Sequence, residues 1–270
     1  GSEGRDEQTL MTDQDNMIAY SDAGEEGDRY FATFAKKAVD GLYEAGFERC
    51  KGGVMASTEK WRGSLTDWKK RIEQRIVYEE GIFESLDVII LTDARTVAGD
   101  KSLLVQLLHW FFGFLTKNKM VMKDFYTSAV LMPTALSFFG KFKTEKSGEF
   151  TDMLNIKLLG WAPLILAVRM VAITNGIFET NTLGRIRRLG RKNVIKKDME
   201  EDLLTAYLTF VRFRIMNQIA NRDGNLAAMN HLRPDMLGTD EQAKLRKAMR
   251  TVETFQKYIK DTLLFGQSLV

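Results

Sequence analysis

A single cysteine, Cys50, stands among 270 residues. That excludes an internal disulfide and any cysteine-rich zinc centre, and it agrees with a reducing cytoplasm. Histidine is almost as scarce. His109 and His231 have no metal-ligating partner at a useful spacing, so each reads as a surface or packing residue. No stretch reaches the roughly 18 uninterrupted apolar residues of a membrane helix, because Lys, Asp, Asn or Gly cuts the longest runs. No signal peptide opens the chain, and no internal repeat or low-complexity tract interrupts it. The expectation is a soluble, cytoplasmic protein without a membrane partner.

Hydrophobic residues make up 44% and charged residues 28%, which excludes the disordered and fibrous classes. The length suits one large domain or two ordinary ones. Charge is unevenly spread: residues 1–98 hold 13 Lys and Arg against 20 Asp and Glu, and the remainder holds 26 against 16. An acidic front beside a basic back suits a metal-carboxylate centre next to a surface that attracts phosphate or an acidic partner.

Residues 17–20 read as a short strand after a polar turn, and residues 22–27 as an acidic loop and helix start. Tyr30, Phe31, Phe34, Ala38, Leu42 and Ala45 recur at spacings of three and four, predicting an amphipathic helix that stops at Gly46. A second helix is predicted through Leu65, Trp68, Ile72 and Ile76. Between them the Gly pair in CKGGVMAS predicts a turn leading into a short strand at Val54 and Met55. The β-branched run LDVIIL, residues 86–91, predicts a strand with Asp93 at its C-terminal end. Beyond Gly99 helix dominates: two helices over 100–138, a hairpin turning at residues 146–149, then helices near 163–175, 182–191, 198–221 and 240–265. The expected division is 1–99 and 100–270. Gly1 begins what reads as a functional loop with no preceding element, so native sequence is expected upstream.

The chemistry rests on Gly1-Ser2 followed, ten residues on, by Asp13-Gln14-Asp15. On an extended chain residues i and i+2 face the same way, so both carboxylates can converge on divalent ions while Gln14 turns away. Magnesium takes oxygen ligands and bridges carboxylates to substrate phosphates, and two such ions stabilise attacking and leaving oxygens together. A tight Gly-Ser turn offers backbone N–H groups and a hydroxyl to triphosphate oxygens, and Arg5 adds a positive charge. Asp93 is the preferred third carboxylate over Asp87, since active sites in α/β sheets gather at strand C-terminal ends. Asp100 reads as a helix cap. Cys50 has no paired base and reads as an inert thiol. Seven Lys or Arg among residues 185–197 form a basic run without the interleaved aromatics of a single-strand binder, so a nucleic-acid partner is not expected.

GSEGRDEQTLMTDQDNMIAY closely resembles the opening motif of bacterial nucleotidyltransferase domains that often follow CBS pairs or cyclic-nucleotide-binding domains. These are relatives of the nitrogen-regulator uridylyltransferases and glutamine-synthetase adenylyltransferases. GFERCKGGVMAS with WRGSLTDWKK, and LTDARTVAGDKSLL, resemble further segments of that family, the last holding its third metal carboxylate. NIKLLGWAPLILAVRMVAITNGIFETNTLGRIRRL is similar to the family's helical substrate-binding domain. The resemblance implies an α+β fold: a polymerase-beta-like mixed-sheet domain followed by a mostly helical domain with one β-hairpin.

It implies Gly1 and Ser2 as the phosphate-binding pair, with Asp13, Asp15 and Asp93 as catalytic metal ligands for two magnesium ions. It also implies transfer of a nucleoside monophosphate from a triphosphate to a hydroxyl on a protein or small-molecule acceptor, in signal transduction under upstream regulatory domains. The alternative is a nucleotide-sensing module that binds without transfer. Three residues depart from the family pattern: Asn155 and Leu166 replace Asp, and Asn217 replaces His.

Overall fold

The computed structural model describes residues 1–10, 13–78, 85–221 and 228–265. By Cα proximity the chain forms two compact units, one of Gly1–Gln8 with Thr12–Met122, the other of Thr9–Met11 with Lys123–Val270. An α+β front and a helical back are what the sequence predicts. The helix beginning at Lys101 belongs to the first unit, whereas the sequence reading divides the chain near residue 99.

In the first unit β1 (Asp13–Gln14) pairs in parallel with β3 (Glu48–Arg49), and β2 (Ile18–Tyr20) pairs in parallel with β4 (Arg62–Ser64). Parallel pairing needs a crossover, and α1 (Gly24–Glu44) supplies it between β2 and β3. This helix stops two residues before Gly46, whose φ of 97° suits a residue without a side chain. Its buried line is Ala35 and Val39, flanked by half-buried Phe31, while Tyr30 and Phe34 of the predicted apolar face are exposed. The rotation is small: the true stripe lies one residue to the side of the predicted one, and the larger aromatics stack on each other outside.

α2 (Leu65–Tyr78) seats Trp68 and Ile72 in the core, and the Trp68 indole N–H donates to the Ile18 carbonyl at 3.0 Å, fastening helix to strand. The Ile76 side chain lies outside the described residues. Residues 54–55 form no strand; that role falls to β4. The 86–91 segment is also corrected: Ser85–Leu91 is a helix, α3. A short apolar run is ambiguous between buried strand and buried helix, and here Ile89 and Leu91 are buried from a helical backbone. α4 (Lys101–Lys117) is capped by Asp100, whose carboxylate accepts from the Ser102 amide at 2.8 Å, and it buries Leu107, Phe111 and Leu115.

The second unit holds most of α5 (Lys119–Leu131), with α6 (Ala162–Thr174), α7 (Thr182–Arg191), α8 (Lys197–Ala220) and α9 (Thr239–Phe265). A π-helical turn, Lys157–Trp161, leads into α6, every residue of which from Pro163 to Ile173 is buried. Lys157–Thr174 is the one described helical stretch long and apolar enough to cross a membrane, and it is 72% buried inside the protein, as the centre of a helical core. The predicted hairpin is reduced to a tight turn at Gly148, with Glu145 donating to the Met153 carbonyl and Asp152 donating to the Glu145 carbonyl. The extended pair here is instead β5 (Leu154–Asn155) against β6 (His231–Leu232), antiparallel.

Candidate active site

Local hydrogen bonds fix how Asp13 and Asp15 point. Gln14 faces inward, its amide donating to the carbonyls of Val39 and Phe47 at 3.1 and 3.2 Å. That anchors β1 against the end of α1 and turns the two flanking carboxylates to the other side, as strand alternation requires. Asn16 then stitches the strand to the loop after β3. Its amide N–H donates to the Val54 carbonyl at 3.0 Å, and its side-chain oxygen accepts from Ala56 N–H at 2.8 Å.

The stitching brings Cys50 to the carboxylate pair. Ligand atoms of Asp13, Asp15 and Cys50 all lie within 4.8 Å of one another. Asp13 is exposed, while Asp15 and Cys50 are half-buried. Burial pushes the Cys50 thiol up to about 11; backbone N–H groups of Val54 and Gly52 pull it back, and its hydrogen bond to Asp15 and that carboxylate's charge add to the rise. Two carboxylates and a sulfur at this spacing fit a divalent cation.

The opening turn packs directly on this group. A Cβ at Gly4 would sit 1.9 Å from the Asp93 carbonyl oxygen, a backbone atom, so contact requires glycine there; one at Gly1 would sit 1.8 Å from Asp15 Oδ2, the movable end of a side chain. Ser2 holds the turn through its carbonyl, which accepts from Arg5 and Glu7 at 3.2 and 3.0 Å. Gly1, Glu3, Gly4, Asp15, Asn16 and Asp93 help line a cavity of about 330 Å³. That is at the small end of the range of ligand pockets.

Arg5 and Asp93 are bound to each other. Arg5 is buried and donates to Asp93 Oδ2 at 2.6 Å and to Glu7 Oε2 at 2.8 Å; the side chains of both carboxylates are fully buried. Burial alone would lower the Arg5 pKa, but Asp93 and then Glu7 more than offset it, and the guanidinium stays charged. Asp93 therefore lines the cavity with its carboxylate held by a cation, outside the Asp13–Asp15–Cys50 group. Asp87 pairs with Lys60.

Sequence reasoning set Cys50 aside. The signal that could have found it is Asn16 following the D-x-D, a side chain able to tie that strand to the Gly-Gly loop.

The three departures in the second unit are absorbed by structure. Asn155 accepts from Leu158 N–H at 3.0 Å and lies 3.1 Å from His231 Nε2, Asn217 donates to the Ala228 carbonyl at 3.0 Å, and Leu166 is buried in α6. His231 stacks on Phe150 with centroids 4.0 Å apart, a packing residue as expected, and His109 is exposed on α4. The basic run is divided: Arg185 is buried and donates to the Glu179 carbonyl, whereas Arg187, Arg188 and Arg191 are exposed.

A carboxylate pair spaced Asp-x-Asp beside a glycine turn, joined in sequence to a helical unit, suits a nucleotidyltransferase domain followed by a helical partner. Residues 119–263, more than half of the chain, match the family described as "Putative nucleotidyltransferase substrate binding domain", and residues 1–81 match "Putative nucleotidyltransferase DUF294". The chain belongs to this nucleotidyltransferase family. A comparison with curated proteins returns no match.

Proposed function

We propose that this protein transfers a nucleoside monophosphate from a triphosphate to a hydroxyl on a protein or small molecule, with magnesium held by Asp13 and Asp15. The observation that carries the reading is the convergence of these two carboxylates, with Asp15 packed against Gly1 and lining the cavity that the opening turn also lines. Bound magnesium would supply charge neutralisation of the triphosphate and a lowered pKa for the attacking hydroxyl. The chain's own groups do the positioning. Asp13 and Asp15 fix the place of the α-phosphate, and the turn around Ser2 receives the β- and γ-phosphates. The acceptor hydroxyl gives up its proton to solvent, its oxygen bonds to the α-phosphorus, the bond to the α–β bridging oxygen breaks, and pyrophosphate leaves with that bond's electron pair.

Asp93 is the third carboxylate of this reading. Its part depends on Arg5 exchanging it for a phosphate, since a triphosphate entering the cavity offers Arg5 a second anion. The resting pair between Arg5 and Asp93 favours a second reading, a nucleotide-sensing module in which the pair persists and no transfer follows.

The test is incubation of the protein with each labelled triphosphate and magnesium in cell lysate. A labelled acceptor that is absent with Asp13→Asn and Asp15→Asn supports transfer. Saturable triphosphate binding without any labelled acceptor supports sensing, and the same label with both variants as with the native chain refutes the metal assignment.

A further inference from the structure

The carboxylate pair has a neighbour that magnesium chemistry does not call for. Cys50 Sγ lies within 4.8 Å of ligand atoms of both Asp13 and Asp15. Placement of the sulfur is built in. Gly53 N–H closes a turn onto the Cys50 carbonyl at 3.0 Å with a φ of 69°, and Asn16 ties the same loop to the D-x-D strand. The carboxylate expected as the third ligand, Asp93, is held by Arg5.

We propose that Cys50 is the third protein ligand of a cation held by Asp13 and Asp15, so that one cation position prefers a borderline ion such as cobalt or zinc over magnesium. The inference rests on the reading of Asp13 and Asp15 as metal ligands. Carboxylate oxygens alone suit magnesium, whereas one sulfur donor shifts a site towards softer ions. Coordination forms a sulfur–metal bond and releases the thiol proton to solvent, with nothing oxidised or reduced. A thiolate ligand also leaves a spectroscopic mark that oxygen ligands do not, and Cys50 is the chain's single thiol, so the signal has one source.

The full chain is titrated with cobalt(II) while near-ultraviolet absorption and heat are recorded, and the alkylation rate of the thiol by iodoacetamide is measured with and without the ion. A thiolate-to-cobalt charge-transfer band should grow in step with bound ion, and alkylation should slow by at least about tenfold. Cys50→Ser, checked for native circular dichroism, should abolish the band and weaken cobalt binding by on the order of tenfold or more, with magnesium binding within about twofold of the native value. Cobalt binding that Asp15→Asn abolishes, but that gives no band and leaves alkylation at its metal-free rate, overturns the role of Cys50 and leaves the carboxylate site standing. Failure of both cobalt and magnesium to bind in any way that depends on Asp13 and Asp15 overturns the carboxylate reading and this inference together.

Discussion

Replacing Arg5 by Met should unfold the first unit more readily than any surface change, and the size of the effect follows from its surroundings. Arg5 is the cation between two carboxylates, Glu7 and Asp93, whose side chains have no exposure, at 2.8 and 2.6 Å. Methionine fills much of the same volume, so the packing loss is small. What remains is two buried negative charges without their cation. Breaking a buried pair in this way costs about 3–5 kcal/mol. With a urea dependence of about 2 kcal/mol per molar, the midpoint should fall by roughly 1.5–2.5 M. Fluorescence of Trp61, Trp68 and Trp110, in a background carrying Trp161→Phe, reports on the first unit alone.

Two controls separate electrostatics from shape. Arg5→Lys returns a positive charge to the carboxylates and should recover part of the lost stability. Arg5→Met combined with Glu7→Gln and Asp93→Asn removes all three charges and should recover most of the lost stability. A loss below about 1 kcal/mol that the triple variant does not recover would refute the argument that this triad is the buried anchor of the opening turn.

Gly4→Ala drives a Cβ into a backbone oxygen that no side-chain rotation can clear and should cost about 1–3 kcal/mol in calorimetry, whereas Gly1→Ala meets a movable carboxylate and should weaken manganese binding more than stability. Equal stability of Gly4→Ala and the native chain would show the turn to be adaptable. Tyr20 is pushed up to about 12, first by burial and then by its hydrogen bond to Asp28 at 2.7 Å. Its folded pKa is raised, so its contribution is whole below the unfolded value of about 10 and is lost as pH rises from there through 12. Tyr20→Phe should flatten that alkaline loss, and melting curves from pH 9 to 12 that superimpose in their slope would exclude it. Charge reversal at the exposed Arg187, Arg188 and Arg191 should weaken acceptor or triphosphate binding and flatten its salt dependence; an unchanged salt slope would mark the run as a merely solvated face.

In the second unit α7 and α9 were legible from an apolar period of three to four with polar stops, and α6 from a nearly unbroken apolar run. Predicted and observed limits of α6 to α9 differ by at most one residue. The D-x-D alternation was equally readable, since it needs only one extended dipeptide. What local pattern could not reveal is approach across the chain. Arg5 and Asp93 meet over 88 residues, and Cys50 reaches Asp15 through hydrogen bonds made by Asn16. The 86–91 run shows the other limit: Val and Ile favour a strand, but a short buried segment takes whichever backbone its neighbours accommodate. On α1 the period was right and its phase wrong, because Tyr30 and Phe34 outweigh the smaller Ala35 and Val39 in any count of apolar side chains.

The reach of the Arg5–Asp93 pair bears on how the protein can be dissected. A truncation after residue 81, the limit of the first family match, would remove the carboxylate that holds the opening turn and would expose the surface of α2 that α4 covers. By Cα proximity the first unit runs past Asp93 and through α4 to Met122. Sequence similarity ends earlier than the folding unit does.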